Sequence, residues 1–337
     1  MLEDALAKKL QLSFSSDRNP YLDPILVGGM QPDGMDLQST VMQSSRIFWY
    51  QLHEARFDIS EMSISSYLIS LARGDDTWVG LPIFHSHHFF HTWSIIRTDA
   101  GIERPEDLKG KRMGVMEYQM TAAVWMRGAL LHEFGVAPED MEWWMERTEQ
   151  SSHGGATGFK APPGVKLNRI PEDTNIGVMM SEGQLDAAVF YHRDPASVDR
   201  SRIDLMSRPD IRHLFPDAAT ESERYYQSTG LHPVNHCIVV RRSLLEKHPW
   251  IALNVFRTFR AAKDDVVAQG RQLMEPYFQT GAFPSDRRSA VAADPLPYGV
   301  KANQKLLETV TQYVYEQGLT ARKVEVEEMF APSTLGL

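Results

Sequence analysis

The stretch Lys111–Leu131, KRMGVMEYQMTAAVWMRGALL, decides the fold, because its periodicity changes once and at a defined place. Met113 to Met116 is a short apolar run of the kind a buried parallel strand shows, and from Glu117 onward the pattern turns helical. Ala122, Trp125, Met126, Ala129 and Leu130 recur at three-and-four spacing as an inward stripe. Between strand and helix lie Glu117, Tyr118, Gln119 and Thr121. A strand that runs straight into a helix leaves backbone N–H groups unpaired and aims the positive end of the helix dipole outward, which attracts anions. In open α/β sheets, ligands sit in the crevice beyond such strand ends. These four residues are therefore expected to line a binding site, with helix capping as their ordinary alternative.

The same unit recurs on both sides. Leu10 to Phe14 reads as a first strand, followed by a polar loop in which Asp17 and Arg18 stand at the strand end, where a guanidinium can hold a carboxylate bidentately. Ser44 to Glu54 reads as a helix, and in Phe57 to Leu71 a strand runs into a helix through Ser63, Ser65 and Ser66, hydroxyls suited to capping or to a bound carboxylate. Leu185 to Tyr191 is an apolar strand ending in His192, Arg193 and Asp194, and His232, Asn235 and His236 precede a further apolar strand. The order of parts predicts an α/β protein of two lobes: residues 1–96 plus 236–337 form the first, and 97–235 are inserted as the second. A ligand cleft lies between them, as in binding proteins that close about a hinge.

Composition bounds the function. A chain of 337 residues buries a large core and suffices for two lobes. Acidic residues outnumber basic ones 44 to 35, for a net charge of −9, and no Lys/Arg block stands out, which argues against nucleic acid. The single cysteine, Cys237, excludes an intrachain disulfide and any cysteine-based metal cluster. No secretory h-region and no apolar stretch of the ~20 residues needed to span a bilayer is visible, so a cytoplasmic protein with no membrane partner is expected.

Four of the twelve histidines, His85, His87, His88 and His91, crowd into seven residues interleaved with Phe84, Phe89 and Phe90. A metal site is not expected, since no third ligand has a recognisable spacing and strand alternation would send His87 and His88 to opposite faces. Acid–base or substrate-binding roles suit imidazoles better, and the aromatic rings offer a flat wall for an aromatic ligand. Arg147 to Pro163, rich in Ser, Gly, Thr and Pro, is expected to be a flexible surface loop.

At FDISEMSISSYL, PEDLKGKRMGV, EYQMTAAVWMRGAL, HPWIALNVFRTFRAAK and YGVKANQKLLETVTQYVYEQGLTARKVEVEEMFAPSTL the chain resembles the 4,5-dihydroxyphthalate decarboxylase family, over about Leu10 to Leu335. The resemblance implies a type II periplasmic-binding-protein-like fold in a cytoplasmic enzyme. It implies non-oxidative loss of CO2 from a hydroxylated aromatic acid to give a catechol carboxylate, no organic cofactor, and a homo-oligomer. Asp17, Arg18, Tyr118, Gln119 and His236 fall on family motifs. The chain departs from the pattern at His85-Ser86-His87 and Phe90-His91-Thr92, where it lacks arginines. The expected site takes its acid from His91 or His236. Arg18 with the Ser63/Ser65/Ser66 turn holds the carboxylate, Glu117 or His87 partners a ring hydroxyl, and Arg193 is a second clamp. Arg18, His91 and His236 should then converge on one cavity. The alternatives are a binding protein for a small aromatic carboxylate, which should carry an export leader, and another lyase on the same scaffold.

Overall fold

A computed structural model describes residues 9–294 and 296–337, so the N-terminal reading lies largely outside the described residues. Two sheets organise the chain. The first has strand order β2-β1-β3-β11-β4, from β1 (Leu10–Ser16), β2 (Met35–Val41), β3 (Ile59–Ser63), β4 (Trp78–Leu81) and β11 (His236–Arg241). The second has order β10-β5-β9-β6-β7-β8, from β5 (Ile95–Arg97), β6 (Arg112–Val115), β7 (Glu142–Met145), β8 (Lys166–Arg169), β9 (Ala187–Val189) and β10 (Ile211–His213).

β1 runs parallel to β2 and β3, and β6 parallel to β7 and β9, as strand–helix–strand units require. The returning strand β11 lies antiparallel between β3 and β4. Its run Cys237–Val240 is buried on both faces, which is why it reads as continuously apolar rather than alternating. Cys237 is a buried free thiol.

Three helices begin where strands of these sheets end. Ser44–Glu54 follows β2, Ile64–Ala72 follows β3 without a break, and Thr121–Phe134 follows β6. The last is buried around its circumference over Thr121 to Leu130, not along one stripe, because it lies between other elements. Its Trp125 donates from the indole N–H to the Val234 carbonyl at 2.8 Å, and its ring meets Tyr313 of the Gln304–Glu316 helix edge-on. One hydrophobic core consequently runs through both sheets, from Met62 and Val239 to Val115, Trp125 and Val314.

The longest helix among the described residues is Ile251–Gln279. One expectation changes. The segment after Arg147 is a surface loop only in part: Glu149, Gln150 and Lys160 are exposed, but Arg147, Ser152, His153 and Thr157 are buried, with hydrogen bonds from Ser152 Oγ (2.7 Å) and the His153 N–H (3.2 Å) to Glu117. No helix among the described residues is long and apolar enough to cross a membrane.

Candidate active site

A cavity of about 320 Å³ opens between the strand ends of the two sheets. The first turns of three helices border it: Ser44 and Ser45 of one, Ser63 at the cap of the second, Met120 and Thr121 at the start of the third. The first is capped by Gln43, which accepts from the Ser45 N–H, and by Asp17, which accepts from the Ser44 N–H; Thr121 Oγ1 accepts from the Ser65 N–H of the second at 3.1 Å. The N-cap residue of the third, Met120, makes no side-chain cap, so the positive end of that helix makes the cavity a place for an anion. Asp17, Phe48, His88, Arg147, His153, Phe190, His192 and His236 also contribute to the wall.

Arg147 is the buried cation here. It donates to Asp199 from Nε at 2.7 Å and from a terminal nitrogen at 3.1 Å, and stands 3.6 Å from Glu117. Burial opposes the charge of Asp199, yet the Arg147 charge and the hydrogen bond from His192 hold its carboxyl well below the usual range. Burial pushes Glu117 upward, with Arg147 and Ser152 pulling against it. The imidazoles divide by environment. Burial lowers His88, and lowers His153 to about 3 with help from the Arg147 charge. Burial also lowers His236, to about 4, against the pull of Glu61. His192 goes the other way: burial disfavours its charge, but the hydrogen bond to Asp199 (3.2 Å) and that residue's charge outweigh it and raise its pKa. Of these four rings, His192 is the one whose surroundings favour the imidazolium.

Of the residues read from the sequence, Asp17, Ser63, Thr121, His192 and His236 line this cavity. His91 does not. It is buried against Tyr225 and Phe215, with Nε2 3.0 Å from Glu221, which also pairs with Arg224. Arg18 stands at the outer mouth, its side chain 70% exposed and 3.9 Å from Asp23, so Arg18, His91 and His236 do not converge. Arg193 is likewise exposed and pairs with Asp204 at 3.0 Å, not with Asp194. His87 and His232 border a different cavity of about 510 Å³, where His87 Nδ1 meets the His232 carbonyl at 2.8 Å. The expectation that His87 and His88 diverge therefore holds, although β4 ends before them.

Glu117, Ser65, Ser66, Tyr118 and Gln119 lie behind the wall. Ser65 donates to the Gln119 carbonyl, Gln119 accepts from Thr157 Oγ1 at 3.0 Å, and the Tyr118 ring lies under the Arg127 guanidinium at 3.8 Å. These residues position the lining without touching the cavity.

The sequence reading missed Arg147, His153 and His88 as lining residues. Arg147 carried a usable signal, since it follows β7 by two residues, the same strand-end position that singled out Glu117 and His192. The loop-like composition after it concealed this.

Residues 82–152 match the family model described as NMT1/THI5 like. A protein from Comamonas testosteroni named 4,5-dihydroxyphthalate decarboxylase is 30% identical over 332 residues, covering 97% of this chain and 98% of its own length. Another of that name from Pseudomonas putida is 32% identical over 226 residues, 67% of this chain and 85% of the relative. Among solved structures, the periplasmic aliphatic sulphonate binding protein SsuA from Escherichia coli superposes with a TM-score of 0.52 at 14% identity, covering 98% of this chain and 99% of that one. The desulfurization enzyme DSZB does so with a TM-score of 0.53 at 14% identity, over 97% and 98%. This scaffold thus serves binding proteins and enzymes alike, and at such identities the likeness concerns fold alone. Sequence relatedness along nearly the whole length goes further: the chain belongs to the 4,5-dihydroxyphthalate decarboxylase family.

Proposed function

We propose that this protein is a non-oxidative decarboxylase of a hydroxylated aromatic carboxylic acid, acting on 4,5-dihydroxyphthalate or a close analogue and releasing a catechol carboxylate such as protocatechuate. The observation that carries this reading is the 30% identity to a decarboxylase of that name over 97% of the chain. The cavity supports it chemically. Loss of CO2 from an electron-rich ring needs a proton delivered to the carbon that bears the carboxylate, electron push from a ring hydroxyl, and a holder for the carboxylate until the C–C bond breaks.

Arg147 and the N-terminus of the Thr121–Phe134 helix hold the carboxylate. His192 delivers the proton, because Asp199 favours its charged form. As the proton bonds to the ring carbon, the C–C electron pair stays with the ring and CO2 departs. The ring lies between Phe48 and Phe190, with its hydroxyls toward His236 and the buried Glu61 and His85 behind it. Two lobes, 1–96 with 236–337 and 97–235, enclose it.

Incubation of the purified protein with a panel of hydroxylated benzoates and phthalates, with CO2 trapped and counted, tests the reading. Release from a dihydroxylated acid is expected, and His192→Gln should lower kcat at least ~100-fold, the scale of a lost general acid. Tight binding of such an acid without CO2 release would overturn the decarboxylase reading in favour of a binding protein.

A further inference from the structure

Three adjacent strands bring together residues that sequence spacing separates. Glu61 lies on β3, His236 opens β11 beside it, and His85 follows β4 on the other side of β11. In the antiparallel register His236 faces Ser63, two residues along the same face from Glu61. One carboxylate oxygen and one nitrogen from each ring fall within 4.8 Å of one another. His85 Nε2 is 2.9 Å from Glu61 Oε2, which also accepts from Ser16 Oγ at 2.9 Å.

The cluster is incompletely satisfied. Glu61 is 1% exposed, yet its Oε1 has no hydrogen-bond partner, and neither does Nδ1 of the buried His85. Among the described residues no lysine or arginine pairs with Glu61. A buried carboxylate without a fixed positive neighbour is costly, since removing it from water must be compensated by charge and hydrogen bonds.

We propose that Glu61, His85 and His236 hold one divalent first-row transition cation whose open positions take the ring hydroxyls of the substrate. Two imidazoles and one carboxylate form a donor set that such ions favour, with remaining positions free for solvent or substrate. Donors around one ion lie roughly 3–3.5 Å apart at metal–ligand distances near 2.1 Å, so the separations here close by small side-chain rotations. Ser16 fixes the orientation of the carboxylate from behind. His236 lines the substrate cavity, so the coordination sphere opens toward the bound ring. Cation binding stands independently of the proposed decarboxylation; only the role of the ring hydroxyls rests on that reading.

The test uses untagged full-length protein, stripped with chelator and titrated with Co2+, followed by its visible d–d bands, with Zn2+ binding measured by calorimetry. One equivalent is expected, lost in Glu61→Gln and His85→Gln, weakened ~10-fold in Ser16→Ala, and unchanged in His91→Ala. 4-Nitrocatechol should bind the Co2+-loaded protein at least ~10-fold more tightly than the stripped protein, with a shifted catecholate absorbance. Thermal melts establish that each variant is folded, and the wild-type titration needs no variant. Absence of stoichiometric Co2+ binding, or bands that persist in both Glu61→Gln and His85→Gln, would overturn the cation site. Bound Co2+ with no effect on nitrocatechol would overturn the assignment of its open positions. Because neither readout uses turnover, failure here is distinguishable from failure to release CO2.

Discussion

Asp199 stands at the centre of the buried charges, donated to by Arg147 and in ion-pair contact with His192. It is 2% exposed, so its charge acts through a poorly screening medium. If His192 is the proton donor, turnover requires the imidazolium and declines as pH rises through its folded pKa, which Asp199 raises above the ordinary imidazole value. Asp199→Asn removes the negative charge that most favours the imidazolium, so the alkaline limb of a kcat profile should move to lower pH. An unmoved limb would show that His192 is not the group titrating. His91 provides the contrast. Its substitution by alanine leaves Glu221 paired with Arg224, so turnover should change by less than ~10-fold while stability falls by about 1–3 kcal/mol for the lost buried hydrogen bond, measured by urea unfolding. At this scale the sequence was only partly informative. His192, Asp17, Ser63, Thr121 and His236 were recognisable as polar residues at strand or helix ends. Arg18 satisfied the same criterion and turned outward, because strand-end position does not determine side-chain direction; His91 came from the histidine cluster and lies in the Phe90–Trp93 turn, away from the cavity.

The elements were more legible. The Ser44–Glu54 helix and the strand-to-helix changes at Ser63 and near Glu117 follow from periodicity, which local backbone geometry enforces. What periodicity cannot convey is contact between distant elements. The segment Ser152–Thr157 looks like a loop by composition, yet it is pinned by Glu117 and Gln119, residues far away in sequence. The carboxylate that joins His85 and His236 comes from a neighbouring strand and could not be inferred from histidine spacing. Helix packing offers a separate test. Gly128 lies where the Thr121–Phe134 helix crosses the Gln304–Glu316 helix, and a β-carbon there would collide with the Tyr313 ring. Gly128→Ala raises helix propensity by about 1 kcal/mol, but overpacking costs roughly 1–3 kcal/mol, so a net loss of Tm is expected and should be relieved by Tyr313→Leu. If Gly128→Ala alone is stabilising, the two helices do not pack as closely as described.

The molecule as a whole joins its halves on one side. Trp125 to Val234, Arg127 to Gln317 at 2.9 Å and the Tyr313 ring tie the helix that follows β6 to the returning chain and the Gln304–Glu316 helix. The opposite side carries the mouth, where Asp17, Arg18 and Arg46 face Asp194. The placement of β11 between β3 and β4 has a further consequence for how the chain comes into being. Four strands of the first sheet are synthesised within the first 81 residues, but two of them meet only through a strand beginning at His236. During translation the second sheet can therefore compact while the first waits, its strand edges unpaired and dependent on protection from association with other chains. A chain stopped at residue 235 should accordingly be recovered aggregated or bound to chaperones, with protease resistance confined to fragments of the second sheet.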